Sequence, residues 1–476
     1  MHILEDADRA GGTVRTSHRN GFLIEGGPNS ILDTSPQLRQ LIIDLGLTDS
    51  LEWISEVANK RYVVRGGELR ALPLSPPAFL KSNLFSWRAK LRLLKEPFVS
   101  PAPADAEETL AEFVLRRLGR EFLDYAIDPF VAGTFAGRPE DLSVSSAFPR
   151  LHKLEQEYGS LIVGAIKNRR KGSSAGKTKK REREREDGPQ PGGESTTSGG
   201  IGTGARESRS RPESGSDTVK IGPGARLFSF SNGLGTLVDA LVAEAGDALH
   251  LDRGVKSVGR TNSGFEVTCP STPGGITARC RSLLFTIPAH TYGQVEFAFP
   301  FTPSASLDSI YYPPVTVVFL GYRHPPSACR ELDGFGFLVP RCERREILGT
   351  IWNSTTFGDR APEGGLALTT FVGGSRQPEK AALPDDELLD VVFRELDDLM
   401  GLKGSPDEVA ISRWPRAIPQ YRVGHSRLVA EVEAFEREHP GLFLGGNFRG
   451  GISMADCFTQ AHAISGRVAD ALRPGR

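Results

Sequence analysis

The chain has 476 residues, with 58 Lys and Arg against 59 Asp and Glu, and a formal net charge of -1. Such a balance argues against nucleic-acid binding as the main task, and the length suffices to bury a large core shared among two or three domains. Five cysteines without paired spacing argue against a disulfide framework or a cysteine metal site and suit a reducing compartment, and no apolar run reaches the roughly 18 residues of a membrane span.

Met1–Leu4 reads as a short strand that ends at Glu5. In a dinucleotide-binding βαβ unit, an acid at the end of the second strand takes a ribose hydroxyl, and Glu5 is read as that acid. Arg9, Gly11 and Gly12 follow, where a guanidinium and bare backbone can approach a pyrophosphate. The glycine-rich turn of such a unit is expected about 20 residues before the acid. The sequence therefore reads as a nucleotide domain entered after its first strand and helix. Ser35-Pro36 starts a helix with Leu38, Leu41, Ile42 and Leu45 on one face and Gly46 as its stop. Asp105 and Glu108 give a capping-box-like start to another, with the stripe Leu110, Phe113, Val114 and Leu118 ended by Gly119. Residues 75–168 read as mostly helical. Phe79, Leu80, Leu84, Phe85, Trp87, Leu91, Leu94 and Phe98 interleave there with Lys81, Arg88, Lys90, Arg92 and Lys95, which suits a helix lying in a membrane interface.

From 171 to 222 a charge run, Lys179 to Asp187, gives way to Gly, Ser, Thr and Pro. This stretch has too little apolar surface to offset chain entropy and is expected to be a disordered insert. Gly233-Leu234-Gly235-Thr236 opens a helix but lacks a third glycine and a preceding buried strand, so it is not read as a phosphate loop; Gly202-Thr203-Gly204 is linker. Cys269-Pro270 reads as a solvated turn. Ser282–Pro288 reads as a buried strand, and Val315–Leu320, Ile347–Trp352 and Leu366–Val372 as further strands bounded by Pro or Gly, together suggesting a mixed sheet over a cavity. Asp385–Met400 is an amphipathic helix. From about 411 the chain returns to the nucleotide domain and ends in a helix from Ser453. No Ser/His/Asp set or metal-ligand cluster emerges from the nine His.

The pattern acid-x-x-x-Arg-x-Gly-Gly, followed by Gly26-Gly27-Pro28, resembles the flavin amine oxidase superfamily. Six further stretches narrow the resemblance: Gly27-Pro28-Asn29-Ser30, Asn59-Lys60-Arg61-Tyr62, Asp128-Pro129-Phe130-Val131-Ala132-Gly133-Thr134, Gly334-Phe335-Gly336-Phe337-Leu338-Val339-Pro340, Phe371-Val372-Gly373-Gly374-Ser375 and Gly445-Gly446-Asn447-Phe448-Arg449-Gly450-Gly451. Together they resemble the oxygen-dependent protoporphyrinogen oxidase family over residues 1 to about 168 and about 225 to the end. Gly446-Asn447 stands where flavin amine oxidases usually carry Gly-Glu, which favours a porphyrinogen over an amine.

The resemblance implies an α/β fold. A discontinuous Rossmann-like FAD-binding domain would take 1–58, 225–290 and 411–476. A mixed-sheet substrate domain would take 59–74 and 291–410, and a helical membrane-facing lobe 75–168, with the insert at 169–224. FAD would be held by Glu5, Arg9, Gly11, Gly12, Gly27, Pro28, Asn29, Ser30, Val255, Trp414, Asn447, Gly451, Ile452, Ser453 and Met454. Val255 would meet the adenine, and the last helix's N-terminus would face the flavin's pyrimidine side. Protoporphyrinogen IX would lose six electrons to three O2. Arg61 would clamp a propionate, Phe335 would lie against a pyrrole and Gly133 would bring a backbone carbonyl to the substrate. No catalytic side-chain base is singled out. The resemblance also implies a peripheral site on the mitochondrial inner membrane and a homodimer. The alternatives are another flavin oxidase or desaturase, and a truncated homologue impaired in catalysis.

Overall fold

A computed structural model describes residues 1–103, 106–168, 226–270, 276–326 and 329–473. Asp105 and the expected insert lie outside the described residues.

β1 (Ile3–Leu4) leads through a turn to the hairpin of β2 (Thr16–Arg19) and the fully buried β3 (Phe22–Glu25). β4 (Ile31–Leu32) precedes α1 (Pro36–Asp44), where the Ser35 hydroxyl accepts from the Leu38 N–H as expected of its N-cap. After β5 (Leu51–Trp53) come the hairpin strands β6 (Tyr62–Arg65) and β7 (Glu68–Ala71).

The helical lobe contains α2 (Pro76–Lys81), α3 (Trp87–Leu94), α4 (Leu110–Arg117), α5 (Asp128–Phe135) and α6 (Pro149–Tyr158). The expected stripe is realised: Leu110, Phe113 and Val114 pack with Leu84, Phe85 and Val131. Its cap differs. Thr109 and Glu112 form the capping box, at 3.2 and 2.9 Å, because Thr109 stands three residues before a carboxylate that can reach back. Glu108 instead binds Arg116 at 2.6 Å. Arg117, fully buried, joins Glu155 (2.5 Å) and Glu96 (3.1 Å), and Glu96 also accepts from Ser160 Oγ and the Leu161 N–H.

β8 (Leu227–Phe230) runs into α7 (Gly235–Ala245). A buried strand thus does precede the Gly233-Leu234-Gly235 turn, contrary to expectation. The glycines nevertheless serve packing. Gly233, at φ +82°, lies so close to Thr16 and the Glu25 carboxylate that a Cβ would not fit. Glu25 accepts from the Leu234 N–H at 2.7 Å, and Thr16 Oγ1 accepts from the Gly235 N–H at 2.8 Å.

β9 (Leu249–His250), β10 (Ser257–Thr261), β11 (Gly264–Cys269), β12 (Ile276–Cys280), β13 (Leu283–Phe285) and β14 (Glu296–Phe297) follow. Cys269 is buried rather than solvated, since alternation along β11 turns Phe265, Val267 and Cys269 inward together. The strand expected over Ser282–Pro288 shortens to β13, and Leu284 faces outward.

The chain continues through β15 (Val315–Tyr322), β16 (Gly336–Leu338), β17 (Gly349–Trp352), β18 (Leu366–Gly373), α8 (Asp385–Met400), β19 (Glu408–Trp414), α9 (His425–Glu438), β20 (Leu442–Leu444) and α10 (Met454–Leu472). The mixed sheet is seven-stranded, in the order β19-β15-β18-β17-β16-β6-β7, and only β16–β6 is parallel. α8 buries Leu388, Val392 and Leu396 against Val318, Leu320 and Leu368. The nucleotide part holds two parallel pairs, β1–β9 and β13–β20, and a four-stranded sheet β12-β11-β10-β14.

Two expected boundaries move. β14 pairs with β10, and Leu307 and Ile310 share a core with Phe285 and Leu444, so this part extends past 290. β19 pairs with β15, so the return expected at 411 comes only after Trp414.

Candidate active site

Glu5 sits at the end of β1, beside the turn that follows β9. The Arg253 N–H donates to Glu5 O at 2.8 Å, the Asp252 N–H donates to Ala7 O at 3.0 Å, and Gly254 abuts Asp6. Val255 therefore lies two residues from a segment bonded directly to Glu5. One Glu5 carboxylate oxygen accepts from the Ala7 N–H at 3.0 Å. The Arg9 guanidinium is turned onto its own loop, donating to Ala10 O (2.8 Å), Gly12 O (2.7 Å) and Val14 O (3.2 Å). Here Arg9 braces the Gly11–Gly12 turn, and its donors are taken by backbone carbonyls.

That turn meets the second glycine pair. Gly27 lies against the Thr13 carbonyl with no room for a Cβ, so the two loops touch backbone to backbone. Trp414 joins them: its Nε1–H donates to Gly26 O at 2.7 Å, and the Arg15 guanidinium lies 4.9 Å from its ring centroid. Asn29 is buried, donates to Gly27 O and accepts from Asn353 Nδ2 at 2.7 Å. Pro28 and Ser30 flank it, half-buried. Sequence reasoning missed Asn353, because only the fold brings the end of β17 to a loop 324 positions away.

The third segment is the loop from Gly445 to Ser453. Asn447 O accepts from Tyr421 Oη at 2.7 Å, and the Gly451 N–H donates to Tyr421 Oη at 3.1 Å. Ser453 caps α10 by accepting from the Asp456 N–H. Among the described residues, the Met454 and Ala455 N–H groups have no acceptor, so the helix presents open donors at its positive end. Met454 and Ala455 pack with Ile31 and Val14, while Ile452 reaches the helical lobe's core. The two ends of the chain thus meet at one place.

The substrate candidates form the adjoining wall. Lys60 and Tyr62 both bind Asp333, each at 2.5 Å, which leaves Arg61 between them to face away. Its guanidinium lies 5.5 Å from the Phe335 ring centroid. Among the described residues no carboxylate pairs with Arg61. Arg61 is exposed to solvent, and the protein beside it lowers its pKa by desolvation. Phe335 O accepts from the Trp352 N–H at 2.9 Å, and Trp352 is followed by Asn353, so the wall connects through Asn29 to the Gly26–Gly27 loop. Gly133, on α5, faces Leu338 of β16. Its carbonyl, in the helix's last turn, has no donor among the described residues.

A family model described as flavin containing amine oxidoreductase matches residues 1–469. The chain is 32% identical over 481 residues to a chloroplastic protoporphyrinogen oxidase of Nicotiana tabacum, covering 98% of this chain and 81% of the relative. It is 26% identical to a coproporphyrinogen III oxidase of Bacillus subtilis (strain 168), covering 99% and 91%. In fold it resembles the crystal structure of a candidate protoporphyrinogen oxidase from Exiguobacterium sp. 255-15, with a TM-score of 0.74 and 21% identity over 99% of this chain and 92% of that one.

Proposed function

Because this chain belongs to the flavin-containing amine oxidoreductase family over residues 1–469, we propose that it is an FAD-dependent oxidase converting protoporphyrinogen IX to protoporphyrin IX in haem synthesis, with three O2 reduced to three H2O2. The tobacco relative supports this choice of porphyrinogen. The residues fit a flavin: open helix donors at Met454 and Ala455 suit an anionic ring edge, and Gly12, with nothing near where a Cβ would stand, leaves bare backbone open to close approach. When bound, FAD supplies the redox chemistry, accepting two electrons per step and returning them to O2.

The chain's own residues hold and orient. Glu5 takes the ribose, and Gly11, Gly12, Val255 and Gly27 to Ser30 shape the cradle. Arg9 keeps the first turn rigid. Arg61 receives a propionate, Phe335 lies along a pyrrole, and the Gly133 carbonyl takes a pyrrole N–H. The observation that carries this reading is Arg61, an exposed cation beside the Phe335 ring with no carboxylate partner among the described residues. Purified protein loaded with FAD should turn protoporphyrinogen into fluorescent porphyrin, with H2O2 formed alongside. Flavin-loaded protein no faster than buffer would sink the proposal, and turnover of amines instead would move it to an amine oxidase.

A second reading places the enzyme on a bilayer. α3 is inverted: Lys90 is buried and donates to Leu80 O and Ser82 O, while Trp87 (68% exposed), Leu91 (58%) and Leu94 (68%) form an outward stripe beside Phe98 (89%). Burying such a stripe among acyl chains, with Arg88 and Lys95 at anionic headgroups, suits peripheral attachment. No described helix is long and apolar enough to cross a membrane. Vesicles containing anionic lipid should co-sediment the protein, and a Trp87→Ser, Leu91→Ser variant should stay in the supernatant. Equal partition of both proteins would remove this surface. The address expected is the mitochondrial inner membrane, which subcellular fractionation tests.

A further inference from the structure

We infer that Tyr421 and His425 are positioning residues for the flavin, acting through the Gly446–Gly451 loop; the inference rests on the flavin reading above. Tyr421 is buried, and its hydroxyl is bonded at both ends of that loop: it donates to Asn447 O at 2.7 Å and accepts from the Gly451 N–H at 3.1 Å. A phenol has one proton to give and lone pairs to accept with, so a single atom closes the loop into a fixed shape. Four residues on, the His425 ring stacks against the Tyr421 ring, with centroids 4.1 Å apart at 12°. His425 Nε2 lies 2.8 Å from Phe448 O, and a neutral imidazole donates there in its Nε2–H form. Burial favours that neutral ring by lowering its pKa.

Three backbone groups of one loop, at 447, 448 and 451, are therefore held by two side chains, Tyr421 just before α9 and His425 at its first position. Among the described residues, neither side chain makes a polar bond to a sheet of the nucleotide part. What they govern is the approach to α10. The loop hands the chain to Ser453, and beyond it stand the unbonded N–H groups of Met454 and Ala455. Gly451 is among the residues expected to hold FAD, and its N–H is taken up by Tyr421. The helix donors reach the flavin in register only while the loop keeps its shape, and donors aimed at a ring that gains charge favour its reduced form.

Tyr421→Phe removes the hydroxyl and keeps the stacked ring. FAD affinity of the reconstituted apoprotein should fall about tenfold, the order expected for two lost hydrogen bonds. The reduced flavin should lose more than the oxidised one. A further tenfold in that ratio lowers the midpoint potential by about 30 mV for a two-electron couple. His425→Gln, which can still donate to Phe448 O, should keep wild-type potential, and His425→Leu should not. If the wild-type apoprotein takes up no FAD, the flavin reading itself fails. If it binds FAD and Tyr421→Phe matches it in affinity and potential, the positioning role is overturned. If Tyr421→Phe does not fold, the His425 pair decides: equal potentials for Gln and Leu overturn it.

Discussion

Arg61 and Glu25 show how one side chain's surroundings set what it can do. Arg61 is charged, exposed and without a carboxylate partner among the described residues, so a carboxylate arriving there would gain a charge-assisted bond worth about 1.5–3 kcal/mol. Arg61→Ala should therefore raise KM for protoporphyrinogen by about tenfold or more while flavin content stays the same; unchanged kinetics would take Arg61 out of the site. Glu25 is the opposite case. Burial outweighs its bonds from Thr16 and Leu234 and raises its pKa above the ordinary 4.5. The folded state then holds the proton more tightly than the unfolded state. This contribution is complete below the unfolded value and is lost as pH rises through the folded pKa. Glu25→Gln keeps the shape and an acceptor but cannot titrate. The wild type should lose stability relative to this variant as unfolding midpoints are compared from about pH 4 to pH 8. A pH-independent gap would mean that the carboxyl does not report its burial.

At the level of elements, local rules locate helices well and orient them poorly. The N-cap at Ser35, the span Asp385–Met400 and the last helix after Ser453 were all legible, because capping chemistry and a 3.6-residue period act within one segment. The α4 cap was misplaced by four residues because Asp, Glu and Thr compete as caps over a short stretch, and tertiary pairing of Glu108 with Arg116 decided the contest. The inversion of α3 has the same origin: composition marked the stretch from Phe79 to Phe98 as amphipathic, but only packing puts Lys90 inside. The lobe's buried charges are a further tertiary feature. Arg117 stands between Glu96 and Glu155 with none of the three exposed. Arg117→Ala would leave the buried Glu96 without its cation and Glu155 with Arg116 alone, and should cost about 3–5 kcal/mol, read as a lowered denaturant midpoint. A loss below about 1 kcal/mol would mean that water screens the cluster.

For the whole molecule, the consequence of the proposed flavin site, drawn from both chain ends, is linkage. FAD that binds only the assembled site should stabilise the fold by about 2.7 kcal/mol at a hundredfold excess over its Kd, seen as a rising unfolding midpoint with FAD concentration. A midpoint that ignores FAD would separate the two ends. By itself the amino-acid order determined the flavin family, the acid, glycine and arginine candidates, and most strands and helices, since these rest on motifs and periodicities written within short windows. The tertiary structure alone decided which residues face one another: Asn353 on Asn29, Tyr421 across the Gly451 loop, Arg9 turned onto its own backbone, and the boundaries that β14 and β19 shift. The physical reason is that such a hydrogen bond, whether across 324 positions at Asn29 and Asn353 or within one loop at Arg9, leaves no period in the chain; it exists only once packing has fixed both partners.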